Sequence, residues 1–452
     1  MDLSLLEIIK AVNGEIVFKN GEGNFNKVST DTRKIEKDNL FIALTGENFN
    51  GNDYVLHAIE KGACIVIVDE VKFRIEELNG KGSSIIIKVK NTKEALGDLA
   101  RFYRQKLGIK VVGITGSTGK TSTKDLVAAF LSGKYKVFKT QGNFNNEIGL
   151  PLMILELSKD YDIAVLEMGT SNFGEINRLA SIALPDVAAI TNVGVAHIEY
   201  LKSRENILKE KMCIVDFFKE KNSLIVNCEN DMLKLVDKCD KFNLEKIGYD
   251  EECDIYAKNV ELTTEKTSFD VIAKDNESYR FTLNMVGQHN VLNALIGIQI
   301  SKDFGLTFQE MEKGLENFNA TSMRLEFINK NNFTIINDSY NANPDSMKAA
   351  LEVLKGYSGA RKIAILGTMG ELGDYAKEAH TQVGEFARDK ADIVLTTGDF
   401  KKCYEEGFKE GTMIFETKQE LMEELSKMIK TDDTILIKAS RSEKFEEIIR
   451  YI

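Results

Sequence analysis

The sequence predicts an α/β protein of about three domains, the central one built around a glycine-rich loop. Three observations carry this. The chain has 452 residues, against roughly 150 per domain. Short apolar runs alternate with helical patterns along most of its length, the rhythm of βαβ units. One such run, Lys110–Thr115, leads straight into a turn with two glycines in four residues, Gly116 and Gly119, and then into a helical pattern.

Composition narrows the class. With 43% hydrophobic and 29% charged residues, the chain can bury several cores and still present a polar surface. No apolar run approaches the ~20 residues of a membrane span, so no membrane insertion is expected. The opening MDLSLLEIIKAVNGE carries Asp2 and Glu7 and no basic start, unlike a secretory leader. Lys plus Arg number 59 and Asp plus Glu 70, a net charge of −11, which speaks against a nucleic-acid partner. A locally positive site for a small anion remains open. The six cysteines are scattered without a C-x-x-C pair. Neither a disulfide framework nor a zinc site is expected, and a reducing, cytoplasmic setting fits.

The elements follow in order. Strands are expected at Leu40–Leu44, Ala63–Val68 and Ser84–Val89, then a helix at Thr92–Leu107. The buried strand Lys110–Thr115 opens the second unit, with a helix at Ser122–Leu131 and further strands at Asp162–Leu166 and Val187–Thr191. A helix-like stretch covers Ser203–Phe218. Asp254–Leu283 alternates like antiparallel strands, and a helix follows at Gln288–Ser301. The third unit carries strands at Phe333–Asn337, Lys362–Leu366, Ala391–Thr396 and Asp433–Ile437. Domains at 1–100, 101–315 and 316–452 are expected on this pattern.

The chemistry gathers in the second unit. Residues 113–121 read Gly-Ile-Thr-Gly-Ser-Thr-Gly-Lys-Thr, between a buried strand and a helix. Such a loop turns backbone N–H groups toward phosphate oxygens, and the helix N-terminus adds favourable partial charge. Thr115, Gly116, Ser117, Thr118, Gly119, Lys120, Thr121 and Ser122 form this candidate phosphate site. Lys120 would reach the β- and γ-phosphates, and the Thr121 hydroxyl a Mg²⁺ ion. Ile114 stands where the general pattern has its first glycine, so the loop is a variant, T-G-x-x-G-K-T. Glu167 ends a buried strand at the sheet edge where α/β ligands bind, and suits Mg²⁺. His197 follows one strand later at the same edge. Lys209 and Lys211 lie two apart, so a helix turns them to different faces and at most one meets the site.

With these residues in view, the sequence resembles the muramyl (Mur) ligase family, ATP-dependent amide-bond ligases of peptidoglycan synthesis. Thr115–Thr121 is similar to the family's own loop, as are Gly142–Pro151 (GNFNNEIGLP) and Gly287–Ala294 (GQHNVLNA). Asp338–Ser346 (DSYNANPDS) discriminates most. It resembles the segment of those members that add D-alanyl-D-alanine to UDP-N-acetylmuramoyl-tripeptide, as do Ser29–Arg33 (STDTR) and Leu40–Leu44 (LFIAL). The likeness covers essentially the whole chain.

The resemblance implies a small N-terminal α/β domain for the UDP-sugar, a central P-loop-type ATP domain and a C-terminal Rossmann-like domain. It implies ATP and two Mg²⁺ ions, the ions held by Thr121, Glu167, His197 and Lys211. It selects Lys211 over Lys209 as the lysine carbamylated by CO₂. Asn290, with His289 beside it, would meet adenine. Arg324 and Asp338 would meet ribose and phosphates. Asn341 and Asn343 would lie near the dipeptide and an acyl-phosphate, catalytic alongside Lys120, His197 and Lys211. Thr32, Arg33, Asn145, Asn146, Tyr340 and Arg441 would touch substrate. A cytoplasmic monomer acting in cell-wall formation is implied. Two departures bear on the UDP-sugar contacts: Phe49-Asn50-Gly51-Asn52 lacks the family's acid and histidine, and Ala439 replaces a glycine. Gly367–Gly373 and His380 resemble the family's third-domain loop, with a structural capping role open for His380. The rivals are a sister ligase adding one amino acid, a folylpolyglutamate-type synthetase and a P-loop switch or motor ATPase. The Asp338–Ser346 segment argues against the first two, and the missing N-K-x-D motif against a GTPase.

Overall fold

The computed structural model describes residues 1–316, 318–330 and 332–452 and holds three sheets. The first has five strands in the order Glu15–Lys19, Ile85–Lys88, Ala63–Val68, Asn39–Ile42, Lys27–Ser29. Its centre is parallel. Ala63–Val68 (ACIVIV) is covered on both faces, and Ile65 to Val68 are all fully buried. A parallel strand sandwiched between layers reads as an unbroken apolar run for this reason.

The second sheet has nine strands. From one edge they are Val137–Lys139, Ile163–Glu167, Lys110–Thr115, Val187–Ile190, Ser223–Asn227, Asn243–Gly248 and Ile255–Leu262, all parallel. Two antiparallel strands, Thr267–Ala273 and Ser278–Leu283, complete it. The expected alternation appears in Thr267–Ala273, whose residues are buried and half-buried in turn. The third sheet has six strands, in the order Glu326–Asn329, Phe333–Asn337, Asp433–Lys438, Arg361–Leu366, Ile393–Thr396, Thr412–Ile414, parallel except for the first pair. The chain is thus a three-domain α/β protein with mixed sheets. Among the described residues no helix is long and apolar enough to cross a membrane.

One helix crosses the first division. Thr92–Leu107 is continuous. At its start Thr92 Oγ1 donates to Ala43 O, just past the strand Asn39–Ile42 of the first sheet, at 2.8 Å. Toward its end Tyr103 Oη donates to Leu157 O at 2.7 Å and Arg104 Nε to Ala183 O at 2.7 Å. Arg104 also pairs with Asp186 at 3.0 Å.

Three local differences from the sequence expectation have physical causes. The helix after the glycine-rich loop begins at Lys120, with Gly119 as its N-cap at φ 78°. Lys120 and Thr121 therefore sit in the first turn, beside its free N–H groups. The helix expected over Ser203–Phe218 ends at Met212 and tightens into a 3₁₀ turn at Cys213–Val215, a frequent end for a short helix. The inner strands Ser223–Asn227 and Asn243–Gly248 and the edge strand Glu326–Asn329 were not expected, nor were the edge strands Glu15–Lys19, Lys27–Ser29, Val137–Lys139 and Thr412–Ile414. Each of the last four has five residues or fewer at a sheet edge, too short for a period to show.

Candidate active site

The C-terminal ends of the central parallel strands carry the site. Lys110–Thr115 delivers the loop, Ile163–Glu167 delivers Glu167, and Val187–Ile190 delivers the Thr191–His197 turn. Gly116 has φ 153°, and a Cβ there would lie 1.8 Å from Thr191 Oγ1. Only glycine fits. At Gly119 a Cβ would meet Asn293 Oδ1 at 2.8 Å.

The Thr191–Gly194 turn braces the loop from behind. Asn192 Oδ1 accepts from Thr118 N at 2.8 Å, and its Nδ2 donates to Thr118 Oγ1 at 2.6 Å. Ser117 N donates to Asn192 O at 3.0 Å, and Ser117 Oγ accepts from Gly194 N at 3.0 Å. Lys120 Nζ folds back onto Gly116 O at 2.8 Å. Burial lowers the Lys120 ammonium's pKa from its usual value, with Glu167 opposing the shift. Thr115 Oγ1 is buried without a hydrogen-bond partner among the described residues. Ser122 sits half-buried in the first helical turn.

Glu167 is 4% exposed. Its Oε2 accepts from Thr121 Oγ1 at 2.9 Å and its Oε1 from Asn145 Nδ2 at 2.8 Å. Among the described residues no ammonium or guanidinium lies within ion-pair distance of it. A buried carboxylate with only neutral donors is costly. A hard cation beside these oxygens would remove that cost, so the donor set fits Mg²⁺. Among the described residues no three of His, Cys, Asp and Glu converge as a ready-made metal cluster. Further oxygens would have to come from bound phosphate.

His197 has φ 63° and caps the short helix Ile198–Leu201. Its Nδ1 faces Glu371 Oε2 of the third domain. The two lysines left open by the sequence separate clearly. Lys209 is exposed, while Lys211 is 1% exposed and has no hydrogen-bond acceptor among the described residues. Burial holds its pKa well below the usual lysine value, and the Lys120 charge adds to this. Its neighbour Glu210 is buried too, accepting from Ile176 N and Gly174 N at 2.8 Å each.

The third domain leans into the same place. Arg324 Nη2 donates to Thr121 Oγ1 at 3.2 Å, and its guanidinium lies 4.2 Å from the centre of the Tyr340 ring. Arg441 lies on the same ring at 6.0 Å and pairs with Glu446 at 2.9 Å. Asp338 Oδ1 accepts from Leu325 N at 3.2 Å, and its other oxygen pairs with Lys438. Asn290 is buried, its amide shared between Val286 O and Asn293, which in turn accepts from Thr123 Oγ1 at 3.1 Å.

Other expected site residues have local duties. Asn343 Oδ1 caps the helix Pro344–Gly356 by accepting from Ser346 N at 2.9 Å. Asn341 Oδ1 turns onto Ala342 N, and Asn146 Oδ1 onto Gly149 N at 2.8 Å. Thr32 and Arg33 lie on a 3₁₀ turn of the first domain, where Arg33 is 87% exposed and pairs with Asp31. No hydrogen bond among the described residues joins them to the loop. His380 is fully buried, accepting from Met369 N at 2.9 Å through Nε2, with Nδ1 on Ala376 O at 2.6 Å. It holds the third-domain loop in shape and touches no part of the site.

Asn192, Asn293, Glu371 and Lys438 were not assigned roles from sequence. Asn293 was the most accessible of them, three residues after Asn290 and hence on the same helix face.

A phosphate loop backed by a buried strand-end carboxylate, with an arginine from another domain on its threonine, defines a nucleotide-dependent enzyme that works between domains. Comparison with known proteins gives the family. Residues 114–301 match the Mur ligase middle domain, 323–441 the Mur ligase glutamate ligase domain, and 24–104 the Mur ligase family catalytic domain. The chain belongs to the Mur ligase family. It is 39% identical to the UDP-N-acetylmuramoyl-tripeptide--D-alanyl-D-alanine ligase of Bacillus subtilis (strain 168), over 94% of this chain and 92% of that one. Among solved structures it is similar to MurF from Acinetobacter baumannii, with TM-score 0.90, 29% identity and coverage of 99% and 98%. It is also similar to MurF from Thermotoga maritima in complex with ADP, with TM-score 0.84, 29% identity and coverage of 96% and 98%.

Proposed function

We propose that the protein is an ATP-dependent ligase that joins D-alanyl-D-alanine to UDP-N-acetylmuramoyl-tripeptide. The product is the pentapeptide precursor of peptidoglycan, a step on which cell shape and division depend. The observation that carries this is the meeting of Thr121, Glu167 and Arg324, which puts a third-domain cation over the phosphate loop. The full-length likeness to ligases of that name supports the acceptor.

A carboxylate is a poor electrophile and needs activation before an amine attacks it. The tripeptide carboxylate attacks the γ-phosphate of ATP, giving an acyl-phosphate and ADP. The amine of D-alanyl-D-alanine then attacks the acyl carbon, and phosphate leaves from the tetrahedral intermediate. Lys120 releases Gly116 O and meets the γ-phosphate, while the loop amides hold the β-phosphate. Arg324 brings positive charge from the third domain. In this reading Asn290 meets adenine and Asp338 the ribose. Apposition of the domains excludes water from the acyl-phosphate.

Thr121 and Glu167 would hold one Mg²⁺ ion, and His197 with a carbamylated Lys211 a second. Bound there, the ions would offset negative charge on the phosphoryl oxygens. Burial disfavours the ammonium form of Lys211, which favours the free amine that CO₂ would carbamylate. Asn341, Asn343, Tyr340 and Arg441 belong to the dipeptide side in this reading, and Thr32, Arg33, Asn145 and Asn146 to the UDP-muramoyl-peptide side. The enzyme is placed in the cytoplasm, in keeping with six free cysteines, and as a monomer, which sedimentation would check.

The test is phosphate release from ATP with UDP-N-acetylmuramoyl-tripeptide, adding D-Ala-D-Ala, D-Glu, L-Ala and diaminopimelate in turn. Release that needs both the tripeptide and D-Ala-D-Ala supports the assignment. Release with a single amino acid moves it to a sister ligase, and release without an acceptor to a plain ATPase.

A further inference from the structure

Two cysteines meet at the same sheet edge as the phosphate loop, past the C-terminal ends of strands two and three places along from the strand that delivers it. The parallel strands Ser223–Asn227 and Asn243–Gly248 pair Asn227 with Ile247. Cys228 follows at once, its N–H donating to Ile247 O at 2.8 Å, which sets it beside Gly248. The chain then turns through Tyr249–Glu252 and returns Cys253, whose N–H donates to Asp250 O at 3.1 Å. A Cβ on Gly248 would lie 3.1 Å from Cys253 Sγ and 3.7 Å from Cys228 Cβ. Glycine at that position leaves the space in which the two side chains face each other.

The surroundings make the pair unequal. The neighbouring Cys253 thiol pulls the Cys228 thiol down to about 7, with burial and the Glu229 charge opposing and the Lys246 and Lys234 charges assisting. Holding its proton toward Cys228 drives Cys253 the other way. Both line a cavity of about 530 Å³, whose walls carry Lys234 and Lys246 as well as the acids Glu229, Asp250 and Glu252. Cys228 is partly exposed there, while Cys253 is 5% exposed behind it. Elsewhere burial pushes Cys64 and Cys213 up to about 11.

We propose that Cys228 and Cys253 form a peroxide-oxidisable dithiol, with Cys228 as the attacking thiolate and Cys253 as the resolving thiol. The Cys228 sulfur attacks one oxygen of hydrogen peroxide and the O–O bond breaks. This leaves a sulfenic acid on Cys228 and a hydroxide that takes up a proton as water. The Cys253 sulfur attacks the Cys228 sulfur, an S–S bond forms, the S–O bond breaks, and the hydroxyl leaves with the Cys253 proton as a second water. Two thiols lose two electrons and peroxide gains them. A thiol reductant reverses the change. The pair abuts the nucleotide site on two sides. Asn227 Nδ2 donates to Thr191 O at 3.2 Å behind the phosphate loop, and Tyr249 Oη to Gln288 O at 3.3 Å at the head of the Asn290 helix.

The test uses the full chain, reduced, titrated with hydrogen peroxide, quenched by alkylation and mapped by peptide mass spectrometry. A Cys228–Cys253 linked peptide is expected at the lowest peroxide levels, and it disappears on treatment with a thiol reductant. With Cys253→Ser, a 1,3-diketone probe should trap sulfenic acid on Cys228 roughly tenfold faster than on the exposed Cys239. Cys253→Ala serves the same purpose if the serine variant folds poorly. Cys228→Ser should leave Cys253 unoxidised. Absence of the linked peptide, or equal trapping at Cys228 and Cys239, overturns the proposal.

Discussion

The imidazole Nδ1 of His197 lies 2.5 Å from Oε2 of Glu371. The first residue belongs to the loops of the central sheet and the second to the loop after Arg361–Leu366 in the third. A backbone bond from Glu199 N to Glu371 O at 3.3 Å reinforces the contact. The close approach of His197 holds the Glu371 carboxyl below its ordinary range, against the effect of burial. A carboxylate on one imidazole nitrogen fixes the ring and leaves the other nitrogen to face a ligand. The third domain thus orients a residue expected to bind Mg²⁺ in the second.

Glu371→Ala removes that restraint. The Mg²⁺ concentration for half-maximal turnover should rise by roughly tenfold or more, with the far-UV circular dichroism unchanged. Superimposable Mg²⁺ titrations of the two proteins would reduce the contact to a tether between domains.

Lys120→Ala should abolish measurable turnover, a loss on the order of 10³-fold, because no other ammonium replaces it at the γ-phosphate. Its hydrogen bond to Gly116 O is the only one its side chain makes among the described residues, so the melting temperature should barely move. Phosphate release near the wild-type rate would sink the phosphate-loop assignment.

Lys211→Ala should also lose activity, with partial recovery when a small carboxylate such as acetate is added. Removing dissolved CO₂ from wild-type enzyme should lower turnover reversibly. An active alanine variant would leave Lys211 as a buried packing residue only.

The carboxyls of Glu245 and Asp303 share the amide of Gln299, at 2.6 and 3.1 Å. Burial pushes Glu245 up to about 8 and Asp303 to about 6. The folded state therefore keeps protons that the unfolded chain gives up near its ordinary value of 4.5. Stability is fullest below that value and declines as pH rises toward about 8. Glu245→Gln should flatten this decline and melt ~2–4 °C above wild type at about pH 9. Parallel melting curves across the range would show that the pair is solvated.

Much of the site could be read because it is contiguous. A buried strand, a glycine turn and Lys120-Thr121 are neighbours in sequence, and the strand that ends in Glu167 is an apolar run of its own. The strands Lys110–Thr115, Ile163–Glu167 and Val187–Ile190 were legible for the same reason, their runs being unbroken, whereas the inner strands Ser223–Asn227 and Asn243–Gly248 were not read. Contacts such as His197–Glu371 and Asp338–Lys438 join residues about a hundred or more positions apart, and no local period encodes which loops face each other. Asn343 and Asn146 show the opposite limit. An asparagine in a motif can equally cap a helix or tie a turn, and only coordinates show where its amide points. The short edge strands were hidden because three residues are too few to establish alternation.

The helix Thr92–Leu107, fastened at its first turn to Ala43 and near its last to Ala183 and Leu157, acts as a splint. Three bodies strung on one chain would have two joints, and bringing three ligands together would require both to align at once. With the first joint braced by a rod held at each end, the first two bodies travel as one. The remaining freedom lies where the third is attached, and assembling the site reduces to a search about a single hinge.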